Sequence, residues 1–207
     1  MWLSRRGGQA TLTADRAVKS RRRGEVLRVA ILEAAWAELR EHAWSGFHMD
    51  RVAERAGTGK AALYRRWPNR AALVRDASLW MAASSARAWE STGDLRGDLV
   101  RFLDNTARFI DGPFGESVRG LVAEPPGEGP GSLRTGEPLG IVTTILEDAR
   151  RSGALGAREP ERAVLNLGSF LVTAEYLASG RAPDLESVTE IVDCLWLPAL
   201  RAACSDG

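Results

Sequence analysis

Apolar residues recur every three or four positions through almost the whole of this 207-residue chain, and this period constrains the fold more than any other feature. Between residues 25 and 41, for example, Leu27, Ile31, Ala34 and Leu39 follow the period of an amphipathic helix. No segment shows the alternation of apolar and polar residues that is typical of a half-buried strand. The sequence therefore predicts an all-α fold with about nine helices.

Capping and helix-breaking residues divide the chain into these helices. Asn69 and Asp184 are suited to cap helix starts, and Gly153 and Gly180 are suited to end helices. The predicted helices are Glu25–Glu41, Met49–Ala56, Lys60–Trp67, Arg70–Glu90, Asp94–Asp111, a short one within residues 114–123, Pro138–Ser152, Pro160–Gly180 and Asp184–Ala203. Residues 124–137 contain three prolines and four glycines, which predicts a mobile loop.

Charge is distributed unevenly along the chain, although the net charge of the whole is only +1. Residues 1–76 hold 16 Lys and Arg against 8 Asp and Glu, and residues 77–207 hold 12 against 19. The first third is therefore strongly basic and the remainder is acidic. This division favours a polyanion-binding module joined to an acidic body that would repel a polyanion. The alternative interpretation is that the basic residues form a solvated face.

Three segments with different expected roles follow from these patterns. The arginine-rich residues 1–24 show little apolar periodicity and are expected to form a flexible basic arm. We predict a DNA-binding unit over residues 25–69 and a helical body over residues 70–207. Cys194 and Cys204 are expected to be buried, reduced thiols, because they lack the neighbours of a zinc site. We therefore expect no metal and no cofactor.

The amino terminus is basic but is not followed by an apolar segment. No run reaches 18 uninterrupted apolar residues. Neither a signal peptide nor a membrane span is therefore expected, so the predicted location is the cytoplasm and no membrane partner is predicted.

A helix-turn-helix is predicted where one long helix precedes two short helices joined by Gly57-Thr58-Gly59. In such a motif the second short helix enters the major groove of DNA, so its outer side must be small, polar or cationic. The residues that meet this requirement are Lys60, Ala61, Ala62, Arg65 and Arg66. Leu63 and Trp67 lie four positions apart and are expected to pack inward.

Phosphate contacts are expected on both sides of the turn that follows this helix. Tyr64 and Arg70 are placed to hold the register on DNA through the backbone phosphates. Asn69 is expected to cap the next helix, whose free amides would offer a further anion site.

The segment Met49–Leu73 (MDRVAERAGTGKAALYRRWPNRAAL) resembles the DNA-binding signature of the TetR family of bacterial transcriptional regulators. The likeness extends over residues 25–75. The resemblance implies that Lys60–Trp67 is the recognition helix, with base contacts at Lys60, Ala61 and Arg65. It also implies that Tyr64 and Arg70 contact backbone phosphates.

Two residues depart from the pattern of that family. His48 stands where relatives commonly have Thr or Ser to cap the second helix, and Ala43 stands where they often have Gly. A poorer cap loosens a helix by about 1 kcal/mol. We therefore expect these departures to affect affinity for DNA more than the fold.

For residues 76–207 the resemblance implies only a general plan, which is a variable helical ligand domain. The fourth, fifth and seventh predicted helices can converge on a small, largely apolar effector. The residues expected to line that space are Trp80, Phe102, Phe109, Val142 and Leu146. Plain core packing is the alternative for each of them. The loop at 124–137 is expected to serve as an entrance.

The last two predicted helices carry more apolar residues than one small body can cover. The resemblance implies that they pair with their copies in a four-helix dimer interface. The residues predicted for this interface are Leu167, Phe170, Leu171, Leu177, Ile191, Leu195 and Trp196. A symmetric pairing would place two recognition helices about one DNA turn apart, which matches a palindromic site.

The function predicted from these features is a homodimeric, ligand-responsive DNA-binding repressor. A nonspecific or architectural DNA-binding protein is one alternative, because the basic segment alone would suffice for it. An all-α enzyme is the other alternative. The sequence offers it no nucleophile elbow, phosphate-binding glycine loop after a strand, or metal cluster, so we expect no enzymatic activity.

Overall fold

The computed structural model describes residues 7–123 and 140–205, and every regular element in these ranges is a helix. The first eight helices are α1 Gly7–His42, α2 Met49–Arg55, α3 Lys60–Tyr64, α4 Arg70–Arg87, α5 Leu95–Ile110, α6 Pro113–Ala123, α7 Gly140–Arg151 and α8 Arg162–Ser179. The ninth is continuous through α9 Leu185–Glu190, a π-helical segment Ile191–Trp196 and α10 Leu197–Cys204. The all-α prediction is confirmed, with nine continuous helices in the described ranges.

Several helix ends lie where capping chemistry predicts them. The Asn69 side-chain oxygen accepts a hydrogen bond from the Ala72 amide at 2.9 Å, and Asp184 accepts one from the Ser187 amide at 2.9 Å. Gly180 ends α8 with a φ of 77°, a left-handed conformation that glycine adopts without steric cost. These ends follow from local chemistry, so a sequence pattern is sufficient to find them.

The first helix is longer than predicted. It begins at Gly7 rather than at Glu25, so most of the segment predicted as a flexible arm is helical. Seven of the 18 residues from 7 to 24 are Ala or Arg, whose high intrinsic propensity favours helix even without an apolar stripe. Residues 1–6 of the predicted arm, and the predicted loop at 124–137, lie outside the described residues.

The third helix is shorter than predicted. It ends at Tyr64, and the amides of both Arg66 and Trp67 bond to the Leu63 carbonyl, at 2.9 and 3.0 Å. The following Pro68 restricts Trp67 to conformations outside the helix, which explains the early end.

The final helix also departs from the uniform helix that was predicted. Pro198 lies inside it, has no backbone N–H, and would crowd the Cys194 carbonyl four residues earlier. The π-helical turn directly before α10 widens the backbone at that point. We attribute the π-helical segment to this proline.

Buried apolar residues form two cores. The first joins α1 to α4, and its fully buried members include Ile31, Leu32, Leu39, Leu63 and Leu73. The second joins α5 and the later helices, and its fully buried members include Leu99, Leu103, Leu146, Trp196 and Leu200. The first core continues through Ala77 of α4, beyond the boundary predicted at residue 69.

Aromatic rings lie where the two cores meet. Trp36 of α1 stacks on Phe109 of α5, with ring centroids 5.2 Å apart and planes within 8° of parallel. Phe109 also contacts Phe114 of α6 at 4.7 Å. This stack connects the first helix directly to the body.

The second core contains a close helix-to-helix contact. Trp196 is fully buried and donates a hydrogen bond from its indole nitrogen to the Val164 carbonyl at 2.8 Å. A Cβ built on Gly168 of α8 would lie 2.4 Å from the indole ring. The absence of a side chain at Gly168 therefore makes room for Trp196.

The two cysteines differ in their surroundings. Cys204 is buried as predicted, whereas Cys194 is exposed and both are free thiols. The prediction for Cys194 was wrong because its side of the π-helical segment faces away from the second core. Within the described residues, none of the helices combines the length and apolar character needed to cross a membrane.

Candidate nucleic-acid interface

The inner side of the helix-turn-helix is fixed by two buried side chains. Leu63 is 0% exposed and Trp67 is 4% exposed, which confirms the prediction that both pack inward. The Trp67 indole also donates a hydrogen bond to Asp76 of α4 at 3.0 Å. The turn between α2 and α3 uses Gly57 with a φ of 63°. These contacts orient α3 rigidly on the first core.

The outer side of this segment is open to solvent. The exposed members of the predicted DNA-binding set are Lys60, Ala61, Tyr64, Arg65, Arg66 and Asn69. Among the described residues, Arg65 has no ion-pair partner. The structure therefore brings most of the predicted contact residues onto one short, cationic stretch of surface, and it places Ala62 and Arg70 in half-buried positions.

Lys60 forms an exposed ion pair across the turn. Its ammonium lies 2.5 Å from the Asp50 carboxylate, and more than half of each side chain is exposed. This hydrogen bond raises the pKa of Lys60 above its usual value. The ammonium therefore stays protonated, but it must exchange Asp50 for any acceptor on a base.

Arg66 is turned back toward the first helix. Its guanidinium donates a hydrogen bond to the Gly24 carbonyl at 3.3 Å. The end of residues 60–67, the recognition segment, thus lies beside α1, next to the arginine-rich part of that helix.

Arg70 is held at the start of α4 by a residue that sequence reasoning missed. Its guanidinium carbon lies 4.2 Å from the centre of the Trp44 ring, and one nitrogen donates to the Trp44 carbonyl at 3.4 Å. A cation stacked on an aromatic ring contributes about 0.5–1 kcal/mol when exposed. No local pattern could have indicated this pair, because its members are 26 residues apart in the chain.

A buried carboxylate positions α2, and it was also missed. Glu38 of α1 is 0% exposed, and one of its oxygens accepts from the Arg51 side chain at 2.6 Å. The same oxygen accepts from the His48 amide at 3.3 Å. As expected, the His48 side chain makes no capping hydrogen bond. Glu38 therefore ties the start of α2 to α1 through the His48 backbone amide, whereas a capping side chain would accept from an amide two or three residues further on.

Ala43, the other departure from the family pattern, has an unusual backbone conformation. Ala43 has a φ of 53°, in the left-handed region that glycine adopts more readily. The chain turns there from α1 toward Trp44, so this position carries backbone strain that a glycine would relieve.

The five residues predicted to line an effector space do not all meet. Phe102, Val142 and Leu146 lie together in the second core and are nearly fully buried. Trp80 instead packs against the first core, because α4 lies along α1. Phe109 lies between Trp36 and Phe114. The predicted set is thus divided among two cores and their junction.

The residues predicted for a dimer interface also differ in their exposure to solvent. Phe170, Leu177 and Leu195 are exposed by 47, 39 and 49%, and Leu167 and Leu171 are half-buried. Ile191 and Trp196 are buried in the second core of their own chain, so their assignment to an interface was wrong. The Trp196 ring fits in this core because Gly168 of α8 has no side chain to fill the space.

Two family models match this chain. One is described as bacterial regulatory proteins, tetR family, and matches residues 31–77, which include the helix-turn-helix. The other is described as tetracyclin repressor-like, C-terminal domain, and matches residues 89–195, about half of the chain. Together they cover most of both cores.

This chain is also similar in sequence to individual transcriptional regulators. The uncharacterized HTH-type transcriptional regulator YdeS of Bacillus subtilis is 34% identical over 104 residues, which span 50% of this chain and 52% of YdeS. The DNA-binding transcriptional repressor TetR of Mycobacteroides abscessus is 38% identical over 78 residues, spanning 38% of this chain and 41% of the repressor. An uncharacterized HTH-type transcriptional regulator of Mycobacterium bovis is 26% identical, spanning 78% of this chain and 82% of the relative.

A solved structure agrees with the fold. The crystal structure of a TetR transcriptional regulator from Rhodococcus sp. RHA1 superposes with a TM-score of 0.58 at 17% sequence identity. The match covers 84% of this chain and 98% of the regulator. At this identity the likeness supports the fold only.

Proposed function

The chain belongs to the TetR family of bacterial regulatory proteins, a family of DNA-binding transcriptional regulators, and from this we propose that it is a homodimeric repressor released by a small apolar effector. The observation that carries the proposal is the recognition segment, whose inner side is locked by Leu63 and Trp67 while Lys60, Tyr64 and Arg65 face solvent. A cationic helix that is held in place in this way fits the major groove of DNA. The proposed location of the protein is the cytoplasm.

Dimerisation is supported by the apolar residues that the single chain leaves exposed. Phe170 and Leu177 lie seven residues apart on α8, and Leu195 lies on the adjacent final helix. Large side chains exposed on two packed helices suit a symmetric interface, in which the same surface of each copy meets the other. The pairing would give the protein two recognition segments for a palindromic operator.

Effector release is supported by the way the body meets the DNA-binding helices. α4 begins at Arg70 beside the recognition segment and packs against both α1 and α7. The stack of Trp36, Phe109 and Phe114 adds a second connection between α1 and the body. An effector that binds among the helices of the body can shift α4 only through its difference in affinity between two conformations.

The test is selection of DNA by the purified full chain. Duplexes enriched from a random pool should contain an inverted repeat with half-sites separated by about one helical turn. Affinity for the best duplex should exceed affinity for a scrambled duplex of equal length and composition. Equal affinities would support the nonspecific DNA-binding alternative and contradict the proposal.

The effector is tested on the same complex. A panel of apolar small molecules is titrated into the operator complex, and release of DNA is measured by fluorescence anisotropy. Coupling is reciprocal, so operator DNA must weaken binding of an active compound by the same factor. A compound that binds the body tightly but leaves operator affinity unchanged would argue against release through α4. Turnover of a bound compound would instead favour the enzyme alternative.

A further inference from the structure

We propose that Trp89 donates a hydrogen bond to the effector, which is an uncharged, largely apolar molecule carrying an acceptor such as a carbonyl or ether oxygen. The proposal rests on the proposed function, because it names the chemistry of the molecule that releases the protein from DNA. The observation that carries it is the Trp89 indole nitrogen, which is buried and has no hydrogen-bond partner in the part of the chain that the structure describes.

An unpaired indole nitrogen is unusual in a protein core, where most buried polar groups are paired. Trp89 and Trp196 both pack in the second core. The Trp196 nitrogen donates to the Val164 carbonyl at 2.8 Å, whereas the Trp89 nitrogen has no such acceptor. An indole nitrogen can only donate, and leaving it unpaired lowers stability. A ligand oxygen would satisfy it.

Polar groups around the turn from Trp89 to α5 are already paired with one another. Hydrogen bonds from described residues occupy both oxygens of the buried Asp98 carboxylate. The donors are the Ser91 hydroxyl, the Thr92 amide and hydroxyl, and Arg101. The Arg101 guanidinium also stacks on the Trp89 ring, with its carbon 4.2 Å from the ring centre. This stacking holds the indole in place, so its N–H is positioned before a ligand arrives.

Trp89 lies beside part of the residue set that was predicted to line the effector space. Its ring meets Phe102 edge-on, with ring centroids 6.5 Å apart and planes at 83°. Phe102 shares the second core with Val142 and Leu146. Trp80, which the sequence assigned to this space, packs against the first core instead. An effector that binds next to Phe102 is therefore close to Trp89.

The charges near Trp89 favour an uncharged effector. Arg101 is the cation stacked on the ring, and it forms an ion pair with Asp98 at 2.9 Å. These two charges neutralise each other, so an ionised ligand group would be buried without a partner of its own. A single neutral donor suits a neutral acceptor oxygen.

The test uses matched pairs of small aromatic compounds and the purified full chain. Each pair consists of an aryl methyl ketone and the alkene in which a methylene group replaces the carbonyl oxygen. Acetophenone and α-methylstyrene are the smallest pair, and their naphthyl homologues extend the series. The two members have nearly the same shape, so the cost of opening the packed helices cancels between them. Calorimetry measures binding, and fluorescence anisotropy measures release of the operator.

We expect the ketone of a pair to bind the wild-type protein about tenfold more tightly than the alkene, because only the ketone accepts from Trp89. Trp89→Phe keeps an aromatic ring but removes the donor, so this preference should vanish. Trp80→Phe is the matched control, because it removes an indole that packs against the first core, and it should retain the preference. Circular dichroism and urea unfolding check that both variants are folded.

Nuclear magnetic resonance of isotope-labelled indole groups detects the hydrogen bond in the wild-type protein itself. The ketone should move the Trp89 N–H proton to higher frequency, as a hydrogen bond does, and the alkene should leave it in place. The Trp89 signal is the one that disappears in Trp89→Phe. This measurement does not depend on the stability of any variant.

The inference is overturned if no pair shows a difference in affinity, if Trp89→Phe keeps the preference, or if a saturating ketone leaves the Trp89 proton in place. A proton already at high frequency without any compound would show that water satisfies the donor, which also contradicts the inference. Failure of the proposed function looks different. If apolar compounds release the operator regardless of the acceptor, only the role of Trp89 is wrong. If the protein selects no operator, the proposed function itself fails.

Discussion

At the residue scale, recognition of bases and anchoring to phosphates belong to different side chains of one short segment. Lys60→Ala should relax base preference and weaken operator binding by about 1–3 kcal/mol if the ammonium contacts a guanine. Tyr64→Phe should instead weaken operator and scrambled DNA alike, because it removes a phosphate contact. Anisotropy titrations with both duplexes distinguish the two effects. Equal losses on both duplexes for Lys60→Ala would contradict its assignment to base recognition.

A second prediction at this scale concerns Trp44, which is buried and stacks on the Arg70 guanidinium. Trp44→Leu should lower affinity for all duplexes, because the guanidinium loses its stacking surface and is less well positioned. Trp44→Phe keeps an aromatic face and should retain most of the affinity. In the Arg70→Ala background, Trp44→Leu should have little further effect on DNA binding. Additive losses in this double-mutant cycle would show that Trp44 acts only through stability.

At the element scale, the contact between α8 and the final helix depends on Gly168. Gly168→Ala should destabilise the protein by about 1–3 kcal/mol, because the new Cβ would overlap the buried Trp196 ring. Gly59→Ala is the matched control, since a Cβ there meets nothing within 4 Å and its φ is −76°. Urea unfolding measures both variants. A loss of stability at Gly59 equal to that at Gly168 would point to a backbone effect rather than overlap.

At the scale of the whole molecule, DNA binding is expected to depend on assembly. Phe170→Glu places a charge among the exposed apolar residues of α8, so we expect monomers that lose operator affinity while remaining folded. Leu79→Glu, on α4, alters a residue that is 54% exposed and should remain dimeric. Sedimentation velocity at micromolar concentration measures both. A wild-type monomer under these conditions would refute the proposed dimer.

Local chemistry determined much of this molecule before any tertiary contact was known. Helix periods, the Asn69 and Asp184 caps, the glycine turn before α3 and the inward side of that helix all depend on residues within a few positions of one another. Such features can be predicted from a sequence because the interacting groups are close together along the chain.

The tertiary structure decided how apolar and charged side chains were partnered over long distances. Trp196 belongs to its own core rather than to an interface, because Gly168 on another helix leaves room for its ring. Glu38 is paired with Arg51, and Arg70 is stacked on Trp44. A helical period shows that a side chain lies on an apolar stripe, but only the packing of all the helices determines which neighbour covers it.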